Sequence, residues 1–293
     1  MTRWDTTNIP DQTGRIFIVT GANSGLGAVI ARELAAAGAE VILACRDLAR
    51  AEKVAAELGS RAVVRRLDLA DLSSVREFAA AIDRVDVLIN NAGVMAVPLY
   101  RTADGFEMQI GTNHLGHFAL TGLLLPKISD RVVTVASGAH TIGRIDLDDL
   151  NWERRSYQRW LAYGQAKLAN LMFHYELHRR LTAAGAELAA VAAHPGYAAT
   201  ELMSHTESLL GPIMALGNRL LAQSAEMGAL PELFAATAPE AEPGGYYGPT
   251  GFAGMRGYPG RSGSTGAARD ATVAKGLWEL SERLTGVSFD FGG

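Results

Sequence analysis

Short apolar runs alternate along most of this chain with stretches in which apolar residues recur every three or four positions. The runs Ile16–Thr20, Val41–Cys45, Ala62–Leu67, Val85–Asn90, Val132–Ala136 and Leu188–His194 predict strands covered on both faces, because they lack the strict alternation of a half-solvated strand. Helical patterns lie between them. In Ser24–Ala37, Leu26, Ile30 and Leu34 fall on one face, and Asp47–Leu58, Asp71–Ile82 and Tyr163–Leu181 behave alike, with Asp47 and Asp71 placed as N-caps. Strand–helix alternation of this kind implies right-handed crossovers and a mostly parallel sheet with helices on both faces. No linker interrupts the pattern, so residues 1–293 read as one domain.

The last third departs from that rhythm. Glu201–Leu230 is apolar but broken by Gly211-Pro212 and Gly217, which predicts short helices joined by turns. From Gly245 a glycine then recurs every third residue to Gly266. Only Pro249 and Pro259 fill the other triplet positions, and tyrosines interrupt the array, so a long glycine-rich surface loop over 244–267 is expected rather than a collagen-like helix. Thr272–Leu284 predicts a closing helix.

Composition narrows the class. The 293 residues are 48% hydrophobic and 20% charged, enough for a sizeable core, and a net charge of −4 speaks against binding nucleic acid through its phosphates. Met1–Pro10 lacks the pattern of a signal peptide, and no apolar stretch has the length of a membrane span. With one cysteine, Cys45, no internal disulfide can form. A cytoplasmic location without a membrane span is the expectation.

Thr20-Gly21-Ala22-Asn23-Ser24-Gly25-Leu26-Gly27 follows the first strand and opens the first helix, the context a dinucleotide-binding turn requires. Gly21 would make the tight turn, Gly25 would admit a diphosphate close to the backbone, and Gly27 would let the helix pack on the sheet. The helix N-terminus adds donors for the anion. An ordinary glycine turn is the competing reading.

The Gly-x3-Gly-x-Gly spacing resembles that of the short-chain dehydrogenase/reductase family, and further matches follow in order. Asp68-Leu69 follows the third strand and Asn90-Asn91-Ala92-Gly93 the fourth, and Ser137 ends the fifth. Asn113 lies in the next helical segment, Tyr163-x3-Lys167 begins a helix, and Pro195-Gly196 with Thr200 closes the sixth strand. Asn113-His114-Leu115-Gly116-His117-Phe118, Ser137-Gly138-Ala139-His140, Gly143-Arg144-Ile145 and Lys167-Leu168-Ala169-Asn170 resemble the retinol-dehydrogenase-like bacterial branch.

The resemblance implies a three-layer, doubly wound Rossmann fold with a mostly parallel, seven-stranded sheet. It also implies a catalytic set of Asn113, Ser137, Tyr163 and Lys167. Gly21, Asn23, Ser24, Gly25, Leu26, Gly27, Asp68, Leu69, Asn90, Ala92, Gly93, Tyr163, Lys167, Pro195, Gly196 and Thr200 would hold the cofactor. A homodimer or homotetramer is expected from the same resemblance.

Tyr163 and Lys167 are four apart on a helix and share a face. Free tyrosine ionises near pH 10, too high for a base, whereas a lysine ammonium and an oxidised nicotinamide would favour the phenolate. Tyr163 is therefore the expected acid in carbonyl reduction and base in alcohol oxidation, with Ser137 donating to the substrate oxygen. Lys167 is expected on the nicotinamide ribose, and Asn113 on a water that links Lys167 to solvent. Where an NAD-selective site needs a carboxylate stands Cys45, followed by Arg46, which suits a 2′-phosphate. NADP(H) is favoured on that ground, against the alternative that Arg46 is merely solvated.

Cys45 reads as a buried structural thiol. His174 and His178, one turn apart, read as a helix-surface or subunit contact rather than a metal pair, for want of a third ligand. The 26 residues from Ser137 to Tyr163 carry Trp152, Tyr157 and Trp160 as one expected pocket rim, with 201–230 as a Met- and Leu-rich lid opposite. Those features point to a bulky apolar alcohol or carbonyl substrate, balanced against simple core or subunit packing of the lid. Two other functions remain open: a light-dependent protochlorophyllide-reductase-like enzyme, and a non-catalytic NADPH-binding sensor or scaffold.

Overall fold

The structure, a computed structural model, describes residues 3–196 and 223–291. Thr200 and residues 201–222 of the expected lid lie outside the described residues.

Eight strands form one sheet in the order β3-β2-β1-β4-β5-β6-β7-β8. They are β1 (Ile16–Thr20), β2 (Glu40–Cys45), β3 (Ala62–Arg66), β4 (Val85–Asn90), β5 (Ile128–Val135), β6 (Ala189–Ala193), β7 (Tyr246–Gly251) and β8 (Arg256–Arg261). Neighbouring strands pair in parallel from β3 to β7, and β8 returns antiparallel on β7. The sheet is thus a doubly wound Rossmann sheet with one strand more than expected.

Helices cover both faces because alternate strand residues are apolar on both sides. On one face Phe17, Val19, Leu43 and Val191 pack beneath α1 (Gly25–Ala36), α2 (Leu48–Leu58) and Ala225–Thr237. On the other, Ile18, Leu88 and Val132 meet α3 (Leu72–Ala80) and the helices α4 (Met108–Ile110), α5 (Gly116–Leu124) and α6 (Arg159–Ala184). Numbering continues with α7 for Ala225–Thr237 and α8 for Ala271–Thr285. Asp47 and Asp71 cap α2 and α3 as their spacing predicts, accepting from the backbone N–H of Arg50 and of Ser73 and Ser74.

Three expectations change. The glycine-rich stretch is not a loop but the β7–β8 hairpin. Gly248 lies so close to the His194 ring that a Cβ would stand 1.9 Å from its Nε2, and Gly254 and Gly257 take left-handed φ of +73° and +112° at the turn. Pro249 faces Pro259 across the pair, beyond the residues through which β7 joins β6. Residues 225–230 of the expected lid instead begin α7, with Ala229 and Leu230 in the core. Finally, α6 is buried around most of its circumference, so His174 is enclosed rather than at the helix surface. No three metal-ligating side chains cluster among the described residues.

Candidate active site

The carboxyl ends of the parallel strands open into a cleft of about 930 Å³. Gly21, Asn23, Ser24, Gly25, Leu26 and Gly27 form one end of it. Gly21 and Gly25 have φ of +69° and +53°, which turn the chain sharply from β1 into α1. A Cβ on Gly27 would lie 2.4 Å from the Gly21 carbonyl, so only glycine lets α1 approach this closely. Ser24 makes no side-chain cap, leaving the first N–H groups of α1 to the cleft. This cradle, with its anion-favouring helix end, fits a dinucleotide diphosphate.

One buried network ties that loop to the next. Thr20 Oγ1 accepts from the N–H groups of Asn91 and Ala92, both at 2.9 Å, and stands 2.9 Å from His117 Nε2. His117 Nδ1 donates to the Asn113 carbonyl at 3.0 Å, so Nε2 is left to accept the Thr20 hydroxyl. Burial keeps His117 neutral, with its pKa drawn down to about 4, which preserves this proton pattern. Asn113 sits in the π-helical turn Gly111–Leu115, a local widening found at functional sites. Its amide is locked onto Val94, accepting from the N–H at 2.8 Å and donating to the carbonyl at 2.9 Å. The side chain is therefore fixed against Val94, and the Asn113 backbone carbonyl already accepts from His117 Nδ1.

Ser137, Tyr163 and Lys167 all line the cleft. Ser137 ends the extension of β5 and caps the 3-10 turn Gly138–Ile142, its Oγ accepting from Ala139 N–H at 3.2 Å. Burial pushes the Tyr163 phenol up to about 12, opposed by a hydrogen bond with the Ser137 hydroxyl. Lys167 Nζ donates to the Val135 carbonyl at 3.1 Å and lies 5.9 Å from the Tyr163 ring centre. Burial draws its pKa down to about 8, opposed by the Glu232 carboxylate. The expected easing of Tyr163 ionisation joined Lys167 with an oxidised nicotinamide; among the protein's own groups burial is the larger influence on the phenol. These groups keep the phenol protonated, the form that donates a proton.

Of the other residues singled out in the sequence, Arg46, Asp68, Leu69, Ala92, Gly93, Pro195 and Gly196 line the cleft. Asn90 does not. Its amide turns away to donate to Thr121 Oγ1 at 2.9 Å, and Asn91 takes the place beside the cleft. Cys45 is buried behind Arg46, with burial pushing its thiol up to about 11, the character of an inert structural thiol. The aromatic rim is also reduced. Trp160 reaches the cleft, whereas Trp152 packs on Tyr157 with ring centres 5.6 Å apart, and the Tyr157 hydroxyl is engaged with Glu107, Gln109 and Val97.

Residues passed over in the sequence complete the lining. Arg50, in the first turn of α2, lines the cleft together with Arg46, which precedes the helix's N-cap. His194, Tyr246 and the hairpin residues Ala253, Gly254 and Met255 form a further wall. For these the signal was the glycine array itself, which marks a close approach of backbones.

Comparison with known proteins gives the family of the chain. The model of the short chain dehydrogenase family matches residues 15–209. Human retinol dehydrogenase 13 is 45% identical over 296 residues, spanning 94% of this chain and 85% of its own. Mouse polyprenol dehydrogenase is 40% identical over 296 residues, with 95% and 86% covered. A crystal structure of an uncharacterised protein from Mycobacterium paratuberculosis superimposes with a TM-score of 0.87 at 52% identity, covering 99% of this chain and all of that one.

Proposed function

The chain belongs to the short chain dehydrogenase family, in its retinol-dehydrogenase-like part, and from that premise we propose that this oxidoreductase is NADP(H)-dependent and interconverts a bulky apolar alcohol with its aldehyde or ketone. The observation that carries the proposal is the convergence of Ser137, Tyr163 and Lys167 on the cleft that starts at the glycine turn.

A nicotinamide dinucleotide held there would supply or take up the hydride. The turn at Gly21–Gly27 would hold its diphosphate, Asp68 and Leu69 its adenine end, and Lys167 its nicotinamide ribose. Arg46 and Arg50 both line the cleft, and Asp47 between them is occupied in capping α2. That disposition favours a 2′-phosphate over a free 2′-hydroxyl. Tyr163 donates its proton to a carbonyl oxygen during reduction and takes it back during oxidation. The Ser137 hydroxyl steadies the negative charge that grows on the same oxygen. Lys167 would hold the nicotinamide ribose and resupply the Tyr163 proton, and Asn113 would hold the water that resupplies Lys167.

Val94, Met95, Trp160 and Met255 give the substrate end of the cleft an apolar, adaptable lining. The names of the two relatives, retinol and polyprenol dehydrogenase, denote long isoprenoid alcohols, which such a lining suits. The test is NADPH oxidation against aliphatic, aromatic and terpenoid aldehydes and ketones, repeated with NADH. Turnover is expected with NADPH preferred, and Tyr163→Phe should lower kcat by about 10²–10⁴-fold while retaining dinucleotide affinity. Turnover that survives Tyr163→Phe would remove the acid/base role, and equal use of NADH would remove the case for Arg46.

A further inference from the structure

The glycine-rich hairpin meets the active site through two histidines. His194, just past β6, accepts the Gly196 N–H at Nδ1 (3.2 Å), so its proton lies on Nε2, which donates to Ser262 Oγ at 3.0 Å. His140 has the opposite tautomer. Its Nδ1 donates to the Ser137 carbonyl at 2.7 Å, and its Nε2 accepts the Thr265 N–H at 3.4 Å. Both rings pack against Tyr246, with centres 5.2 and 6.1 Å away. The chain that leaves β8 is therefore fastened to the loop of Ser137 and to the Pro195-Gly196 turn.

The same fastening governs the hairpin tip. The His194 ring occupies the space over Gly248 that any side chain would fill. At the far end of the hairpin the Met255 carbonyl lies 2.4 Å from where a Cβ on Gly196 would stand. The tip thus rests directly on the turn that His194 organises, and Ala253, Gly254 and Met255 face the cleft. Ala253 holds a left-handed φ of +55°, a strained conformation for a non-glycine residue.

We propose that the tip of this hairpin, with Met255, is a wall that determines substrate specificity, and that His194 is the positioning residue that seats it. The proposal rests on the oxidoreductase reading for its substrate, but not for the seating. Ser262 is the partner through which the seating can be loosened without altering the His194 ring. The wall acts on the remote, apolar part of the substrate, where one methylene group alters discrimination by roughly 10–200-fold.

The test uses the full-length protein, a series of straight-chain aldehydes from short to long, and hydrogen exchange of the 246–263 segment. Met255→Ala and Met255→Leu should shift the ratio of kcat/KM between long and short aldehydes by roughly tenfold. Ser262→Ala and His194→Gln should speed exchange across 246–263 and raise KM for long aldehydes more than they lower kcat, and Ser262→Thr, which keeps the hydroxyl, should restore both. An unchanged chain-length profile in both Met255 variants would overturn the wall. Unchanged exchange in Ser262→Ala and His194→Gln would overturn the seating. If the unaltered protein reduces none of the aldehydes but binds NADPH, the oxidoreductase reading fails for these substrates, and the exchange data still decide the seating.

Discussion

Tyr163 shows how far a residue's behaviour departs from its free chemistry once it is buried. Its phenol is pushed up to about 12, while Lys167, one turn away, is drawn down to about 8. The two shifts set different limits on the reaction. Through the neutral range Tyr163 stays protonated and ready to donate, whereas Lys167 loses its charge as pH rises through about 8. Carbonyl reduction should therefore hold its kcat/KM to that point and decline above it. The Glu232 carboxylate opposes the loss by favouring the ammonium form. Glu232→Gln should accordingly move the alkaline limb to lower pH in a rate profile, and a limb that stays in place would show that Glu232 has no hold on Lys167. The members of this set were legible in the sequence because the chemistry demands particular residue types after particular strands. Arg50 and Asn91 were not singled out, and Asn90 was, because neighbouring positions in a motif point in different directions and only backbone geometry shows which faces the cleft.

Among the elements, α1 is held close to the sheet by one glycine. Its Gly27 sits under the Gly21 carbonyl and beside the Asn91 amide, at 2.4 and 2.7 Å from the place of a Cβ. Gly27→Ala must push the helix off the sheet, an overpacking cost of about 1–3 kcal/mol. Thermal unfolding should show the lost stability and dinucleotide titration a weaker complex. Retention of both would mean that α1 can shift without disturbing the turn.

The strands up to residue 193 and the helices α1, α2, α3 and α6 were readable because apolar runs and capping aspartates are local signals, whereas the helical segment around Asn113 was given no bounds. Two later elements were not. The β7–β8 hairpin is rich in glycine and proline, which lower strand propensity, and its Gly248 packs under the ring of His194, more than fifty residues earlier in the chain. The α7 helix contains Gly228 and Pro231 and is buried on several sides, so neither its composition nor a polar face announces it. Likewise Trp152 and Tyr157 turned inward because Glu107 and Gln109, distant in sequence, supplied partners for the Tyr157 hydroxyl.

For the molecule as a whole, four buried histidines dominate the response to acid. Burial draws His114 and His174 down to about 3 and His117 and His194 to about 4. In the unfolded chain each titrates near 6.5, so below that pH the unfolded state binds protons that the folded state refuses. Their contribution is complete above about 6.5 and is lost as pH falls towards 4. Glu232 runs the other way across this window, since burial raises its carboxyl to about 8 and the folded state holds that proton first. With four groups against one, Tm should fall between pH 7 and pH 5. His114→Gln, which can keep the link to Ser281, should flatten that slope. A Tm that is constant over this range would show that the histidines are protonated in the folded protein.

The antiparallel return of β8 has a consequence for how the protein behaves at high concentration. A sheet's outermost strands offer unpaired N–H and C=O groups on which another chain can add, the route to strand-mediated aggregation. Here one border is β8, where Pro259 has no N–H to offer and Arg256 and Arg261 stand at the two ends. The other border is β3, a short strand that ends in Arg65 and Arg66. Both borders of the sheet thus carry the residues that discourage a neighbour from zipping on.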